Sequence, residues 1–260
     1  MGSEMCIRDR YCMCLIAFAW RPSHTQPLIV AANRDEFYAR PTQPLAQWAD
    51  AQQVYAGRDL EAGGTWLGIT ADGRFAALTN IRNPSLPLGH RSRGELVAQF
   101  LTSDISIEDY LVEVANRAAE YGGFNLLVGD RQQLYYLNSS NPEPRRLDEG
   151  VYGLSNAGLD TPWPKVKKAR AALSTQLDDP NPLALMALLS DPTTAPTTEL
   201  PDTGVSLETE KLLSSLFIAS PNYGTRASTV LIVNADGSQH FIEHSFGPYG
   251  GRLGEVELKI

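Results

Sequence analysis

Two apolar runs near the start of the chain, residues 13–20 and 28–36, restrict its fold more than any other stretch. Residues 15–20 and 28–32 carry no polar side chain. A strand with one covered face alternates apolar and polar residues, so an unbroken run means that both faces are covered. The intervening segment holds Pro22, Ser23, His24 and Gln26 and reads as a turn, which makes the pair a hairpin of buried strands. Such a hairpin needs a layer on each side. The first run opens with a thiol, Cys14, and the second closes on Asn33, Arg34, Asp35 and Glu36 at its rim. In an antiparallel hairpin these ends meet, and a guanidinium near a sulfur favours thiolate over thiol. Neighbouring strand residues face opposite sides, so Arg34 and Asp35 both face Cys14 only if the strand ends or bulges there. Four polar residues in succession are consistent with such a break.

The rest of the chain reads as strands at both ends with helices between. Residues 40–44, with Pro41 and Pro44, read as a loop anchored by Trp48, and 54–56 as a short strand. Residues 57–68 are Gly-rich but have no phosphate-loop or dinucleotide spacing, so they read as tight backbone packing around a pocket. Residues 66–70 and 74–80 form a hairpin turned by Asp72-Gly73. Helices are expected over 94–101 and 107–121, the second capped by Ser106. Strands follow at 124–128, 133–137 and 150–155, then helices at 162–177 and 182–189, with Pro in the first turn of each. Residues 191–206 read as a loop or lid, and strands resume at 217–220, 227–234 and 239–245. The tail, 250–260, is expected to add an edge strand. The fold class is therefore α+β, with two stacked, mainly antiparallel sheets covered by helices.

The formal net charge of −8 and the lack of a Lys/Arg block argue against a nucleic-acid surface. The cluster Lys165, Lys167, Lys168 reads as the solvated face of a helix. No apolar run reaches membrane-spanning length, and the first twelve residues lack the apolar core of a secretory signal. Cys6, Cys12 and Cys14 all fall in the first fourteen residues, which suits neither a disulfide framework nor a four-ligand zinc site. A cytoplasmic chain with one functional thiol, and no cofactor, is the expectation. Residues 1–12 show no periodicity and read either as an artefact of the gene or sequencing record or as a removable propeptide. Residues 13–260 are then one domain. Removal of Met13 would make Cys14 the first residue, since Met before a small side chain is ordinarily clipped.

A terminal cysteine carries its own base, an α-amine with an unperturbed pKa of about 7.7–8.0. Nucleophile and base then share one residue. A buried cysteine that acts only as a small hydrophobe is the competing reading. Asn80 and Asn156 each end an apolar strand and can serve as turn residues or as amide donors to a developing oxyanion. Arg226, at the start of a long apolar strand, is a candidate anchor for a carboxylate, in a substrate or in Asp35. His24, His90, His240 and His244 show no metal-ligand spacing, and no Gly-x-Ser-x-Gly elbow is present.

Several motifs in order resemble the NRDE family, which includes the Transport and Golgi organisation protein 2 homologues. They are Met13 to Ile16, Ala32 to Phe37, Ala56 to Leu60, Gly63 to Gly68, Leu78 to Asn80, Leu154 to Ala157, Trp163 to Lys165 and Thr225 to Thr229. The pattern is also similar to N-terminal-nucleophile hydrolases of the choloylglycine hydrolase and acid amidase group. That resemblance implies a four-layer αββα sandwich and a site of Cys14, Arg34, Asp35, Asn80, Asn156 and Arg226. Arg34 and Asp35 are adjacent here but separated in those hydrolases, so Glu36 and Asp59 stand as alternative active-site carboxylates. The implied reaction is cysteine-dependent cleavage of a non-peptide C–N bond in a small molecule. The alternative is a non-catalytic protein that binds or transfers haem, a lipid or an acyl thioester in the same pocket.

Overall fold

The computed structural model describes residues 13–260. Cys6, Cys12 and the expected extension at 1–12 lie outside the described residues. Among the described residues, thirteen strands appear in chain order. These are β1 (Met13–Trp20), β2 (Leu28–Phe37), β3 (Thr42–Trp48), β4 (Ala51–Asp59), β5 (Leu67–Thr70), β6 (Phe75–Asn80), β7 (Phe124–Gly129), β8 (Leu134–Asn138), β9 (Asn141–Arg146), β10 (Gly150–Leu154), β11 (Tyr223–Val233), β12 (Gln239–Phe246) and β13 (Arg252–Lys259). The helices are α1 (Gly94–Thr102), α2 (Ile107–Asn116), α3 (Pro164–Ser174), α4 (Pro182–Leu189) and α5 (Leu207–Leu212).

The strands form two antiparallel sheets, one ordered β10-β1-β2-β11-β12-β13 and the other β3-β4-β5-β6-β7-β8-β9. Alternation along the first hairpin separates two cores. Ile16, Phe18, Trp20, Leu28, Val30 and Ala32 pack between the sheets against Leu67, Ile69 and Phe75. Leu15, Ala17, Ala19, Ile29 and Ala31 face the other way, onto Val166 and Ala169 of α3 and Leu185 and Leu189 of α4. A third core seats Leu96, Val97, Phe100, Tyr110 and Leu111 of α1 and α2 on Leu78, Leu126 and Val128 of the second sheet. The layer order is α, β, β, α, as the resemblance implied. Burial on both faces is why residues 15–20 and 28–32 need no polar position.

The differences from expectation have local causes. Residues 42–48 are strand β3 rather than loop, and 141–146 form a strand that was not expected. Both lie at the edges of the second sheet, where Pro44, Pro142 and Pro144 forfeit no ladder bond on the open side. Residues 217–220 are not a strand and make only an isolated bridge between Ala219 and Gly224. β11 instead starts at Tyr223, four residues earlier than expected, with a bulge at Arg226. Residues 107–121 divide into α2 and a separate 3-10 turn at Ala118–Glu120. The loop at 191–206 leads into α5, a helix with no signal beyond its Ser206 cap. Ser106 caps α2 as expected, its Oγ accepting from Asp109 N. β13 forms the expected edge strand.

Candidate active site

Cys14 stands at the first inward-facing position of β1 and is paired across the hairpin with Arg34, as Met13 is with Asp35. The cleft above it has a volume of about 270 Å³. Arg34, Asp35, Glu36, Trp66 and Asn80 line it with Cys14, and Arg40, Asp59, Glu61, His90, Arg91 and Arg93 form its rim. The Gly-rich stretch shapes the mouth as expected. Gly64 lies so close to Gly94 that a Cβ there would come within 2.4 Å of backbone, and Thr65 N donates to Gly94 O at 3.0 Å.

β2 does not break at its polar end but runs on to Phe37, so the pleat continues through Arg34 and Asp35. Arg34 therefore shares the inter-sheet face with Cys14, its guanidinium 4.4 Å over the Trp66 ring and 3.5 Å from Glu36 Oε2. Asp35 belongs to the opposite, helix-facing side and accepts from Thr225 Oγ1 at 2.6 Å. Both reach the cleft because it opens at the strand end. Glu36 Oε1 accepts from Phe37 N, and Asp59 Oδ2 pairs with Arg40 Nη2 at 2.7 Å.

The electrostatics correct one expectation. Arg34 does favour the thiolate, but burial, followed by the nearby Asp35 carboxylate, outweighs it and pushes the Cys14 thiol up to about 12. The resting side chain is a neutral thiol, and Cys14 as a whole is only 7% exposed. Burial also raises Asp35 to about 6.

Asn80 ends β6 in the cleft wall, and Asn156 follows β10 beneath it. Asn156 Oδ1 accepts from Cys14 N at 3.4 Å, and its Nδ2 donates to Asn80 O at 2.9 Å. Ser155 Oγ donates to Cys14 O at 2.8 Å. The main chain of the sulfur-bearing residue is thus tied directly to Asn156, and through Asn156 to the carbonyl of Asn80. Arg226 sits elsewhere. From its bulge it donates Nη1 to the carbonyls of Phe37, Tyr38 and Arg40 at 3.0, 2.8 and 3.1 Å, rather than to Asp35 or into the cleft. It fixes the turn that carries Arg40.

Lys165 and Glu243 are buried titratable groups that escaped the sequence. Lys165, expected on a solvated face, is 2% exposed, and its Nζ has no hydrogen-bond partner among the described residues. Burial lowers it to about 8, opposed by Asp35. Its placement after Trp163-Pro164, at the N-terminus of a helix packed on β1, was the available signal. Glu243 of β12 gave none. It lies between the sheets, accepts from Leu45 N at 2.9 Å, and is raised to about 7 by burial.

The Glu243 shift predicts a pH effect. An unfolded chain releases this proton near 4.5, whereas the folded chain holds it to about 7. The associated stability is present below 4.5 and lost as pH rises through 7. Glu243→Gln should remove this loss, so its advantage over wild type in urea unfolding should grow by on the order of 3 kcal/mol between pH 4.5 and 8. Parallel pH profiles for the two proteins would refute it.

A four-layer αββα sandwich with a strand-end cysteine at the base of a charged cleft defines the class. The chain belongs to the Transport and Golgi organisation 2 family, whose model matches residues 13–248. It is 39% identical over 256 residues to the Transport and Golgi organization protein 2 homolog of Bos taurus, covering 90% of this chain and 93% of that protein. The Homo sapiens homolog is 38% identical over the same shares of each chain. The Drosophila melanogaster protein is 31% identical over 268 residues, covering 90% of this chain and 92% of its own. Among solved structures, a Caenorhabditis elegans N-acylethanolamine-hydrolyzing acid amidase ortholog is similar at a TM-score of 0.43 and 12% identity, over 84% of this chain and 92% of that chain. No helix among the described residues is long and apolar enough to cross a membrane.

Proposed function

We propose that this protein is a cysteine-dependent amidohydrolase of the N-terminal-nucleophile type, cleaving a non-peptide amide, or the related thioester, of a small molecule in the cytoplasm. The observation that carries the reading is the position of Cys14, with its sulfur at the base of the cleft and its main-chain nitrogen on Asn156 Oδ1. A thiol raised to about 12 must lose its proton as it attacks, so it needs a base beside it. With residues 1–13 removed, the Cys14 nitrogen becomes an α-amine of about pKa 7.7–8.0 in the place it already occupies. Asp35, paired with Met13 across the hairpin, would face that amine. Asn156 orients it, Asn80 supplies an amide donor to the oxyanion, and Arg34 holds the developing thiolate or a substrate carboxylate. Arg226 supports the wall by clamping the 37–40 turn.

A cleft of about 270 Å³ falls just below the usual ligand-site range of about 300–1,000 Å³. Its charged rim suits a small polar substrate better than haem or a lipid. The second reading, a protein that binds or transfers without turnover, is favoured by one observation: in the chain that retains residues before Cys14, the nitrogen is an amide and the thiol is neutral.

The test is intact mass of the purified chain, followed by incubation with acyl amides and acyl thioesters. Acyl transfer to Cys14 in the chain that begins there, and not in the longer chain, is the expected result. A chain starting at Cys14 that alkylates normally yet accepts no acyl group would leave only the binding reading.

A further inference from the structure

Two hollows share Cys14 in their lining. Beneath the outer cleft lies a second, more enclosed space of about 10 Å³, walled by Ile16, Ala32, Trp66, Leu67 and Leu78 with Thr229 alongside. Arg34 touches both spaces, but the wall of the inner one is otherwise apolar apart from Thr229 and Asn33. Space of about 10–15 Å³ holds roughly one water-sized group, and apolar walls leave it dry.

We propose that the inner hollow is the acyl pouch of this site, which selects short acyl groups, acetyl or propionyl in size, carried on a larger polar amine or thiol. The inference rests on the acyl transfer proposed above. In that reaction Sγ bonds the acyl carbon as the C–N bond breaks, and the thiol proton passes by way of the α-amine to the leaving nitrogen. Water then cleaves the thioester, releasing a carboxylic acid and restoring the thiol. The leaving group must depart to solvent, and of the two hollows it is the wide cleft that offers that route. The acyl group stays on sulfur through both steps and must lie where nothing needs to leave. A longer chain meets Leu67 and Ile16, which are 2% exposed and packed in the inter-sheet core, so admitting it requires the core to shift.

The test uses the chain beginning at Cys14 and N-acetylcysteamine thioesters of two, three, six and ten carbons, reading the mass gained at Cys14 with time. Acetyl and propionyl should load roughly 100-fold faster than the ten-carbon chain, within the discrimination a hydrophobic pocket supports for a few methylenes. Leu67→Ala widens the pouch and should admit the six-carbon chain. Ala32→Val fills it and should slow acetyl loading by about tenfold or more, while iodoacetamide still labels Cys14 from the outer cleft. Circular dichroism checks both variants, and if Leu67→Ala does not fold, Ala32→Val decides. Equal loading of two- and ten-carbon donors by wild type, or unchanged acetyl loading in Ala32→Val, would overturn the pouch and leave the acyl-transfer reading intact. Iodoacetamide labelling with no loading from any donor would overturn both.

Discussion

Cys14→Ala is expected to lower acyl cleavage by roughly 10⁴- to 10⁶-fold, the loss seen when a nucleophile that acts as one unit with its base is removed. The residual rate should come from the cleft itself, because Arg34, Trp66 and Asn80 do not depend on the sulfur for their positions. Arg34 is stacked on Trp66 and paired with Glu36, and Asn80 O accepts from Asn156 Nδ2. Folding should be almost unaffected, since the substitution removes one atom from a residue already next to open space. Turnover of the wild type and variant, measured on the same acyl donor with denaturant midpoints as control, checks both halves. Comparable rates in the two proteins would show that the sulfur is a packing atom.

The largest expected stability effect lies behind the asparagine wall. Arg82, two residues beyond Asn80, places Nη2 3.1 Å from Glu210 Oε2 of α5, with both side chains 3% exposed. Its guanidinium also lies 4.5 Å over Trp163, and its main-chain nitrogen donates to Asn156 O at 2.7 Å. The pair is close but not aligned as a hydrogen bond, because Arg82 Nε and Nη1 and Glu210 Oε2 find no hydrogen-bond partner among the described residues. Glu210 Oε1 accepts instead from Thr203 N. Removing one partner strands the other charge out of water, so Glu210→Gln or Arg82→Met alone should cost about 3–5 kcal/mol. Replacing both with apolar residues should recover most of that. Urea unfolding of the two single variants and the double variant measures the coupling. Additive losses would mean that the two charges do not depend on one another. Function should follow stability here, since the pair fastens the strap at 203–210 to the β6 end that carries Asn80.

The fold was legible where burial leaves a periodic trace. Residues 13–20 and 28–36 announce a central hairpin because both of their faces are covered, and the Asp72-Gly73 turn appears where expected, its Gly with positive φ. Edge strands were harder to read. Pro44, Pro142 and Pro144 argue against strand locally, yet an outermost strand tolerates them because one side of its ladder is open. Of the site, Cys14, Arg34 and Asp35 could be placed by hairpin register alone, and the rest could not. Arg226 looked like an anchor for a carboxylate, but a bulge turned it toward three carbonyls, and bulges leave little signal in a single sequence. Lys165 looked solvated because its neighbours Lys167 and Lys168 are; only the packing of α3 on β1 reveals which of the three turns inward. The thiol's electrostatics were unreadable for a related reason. Arg34 was visible in the sequence, whereas the burial that outweighs it is a property of the whole assembly.

Chain ends usually fray, because nothing flanks their last few residues. β1 differs in lying between β10 and β2 rather than along a margin, with Ser155 and Asn156 gripping the two main-chain groups of residue 14. A polypeptide beginning at that point would present an amine as immobile as any peptide group in the interior. Such a terminus would behave less like a tail than like a fitted part, aimed before any ligand arrives.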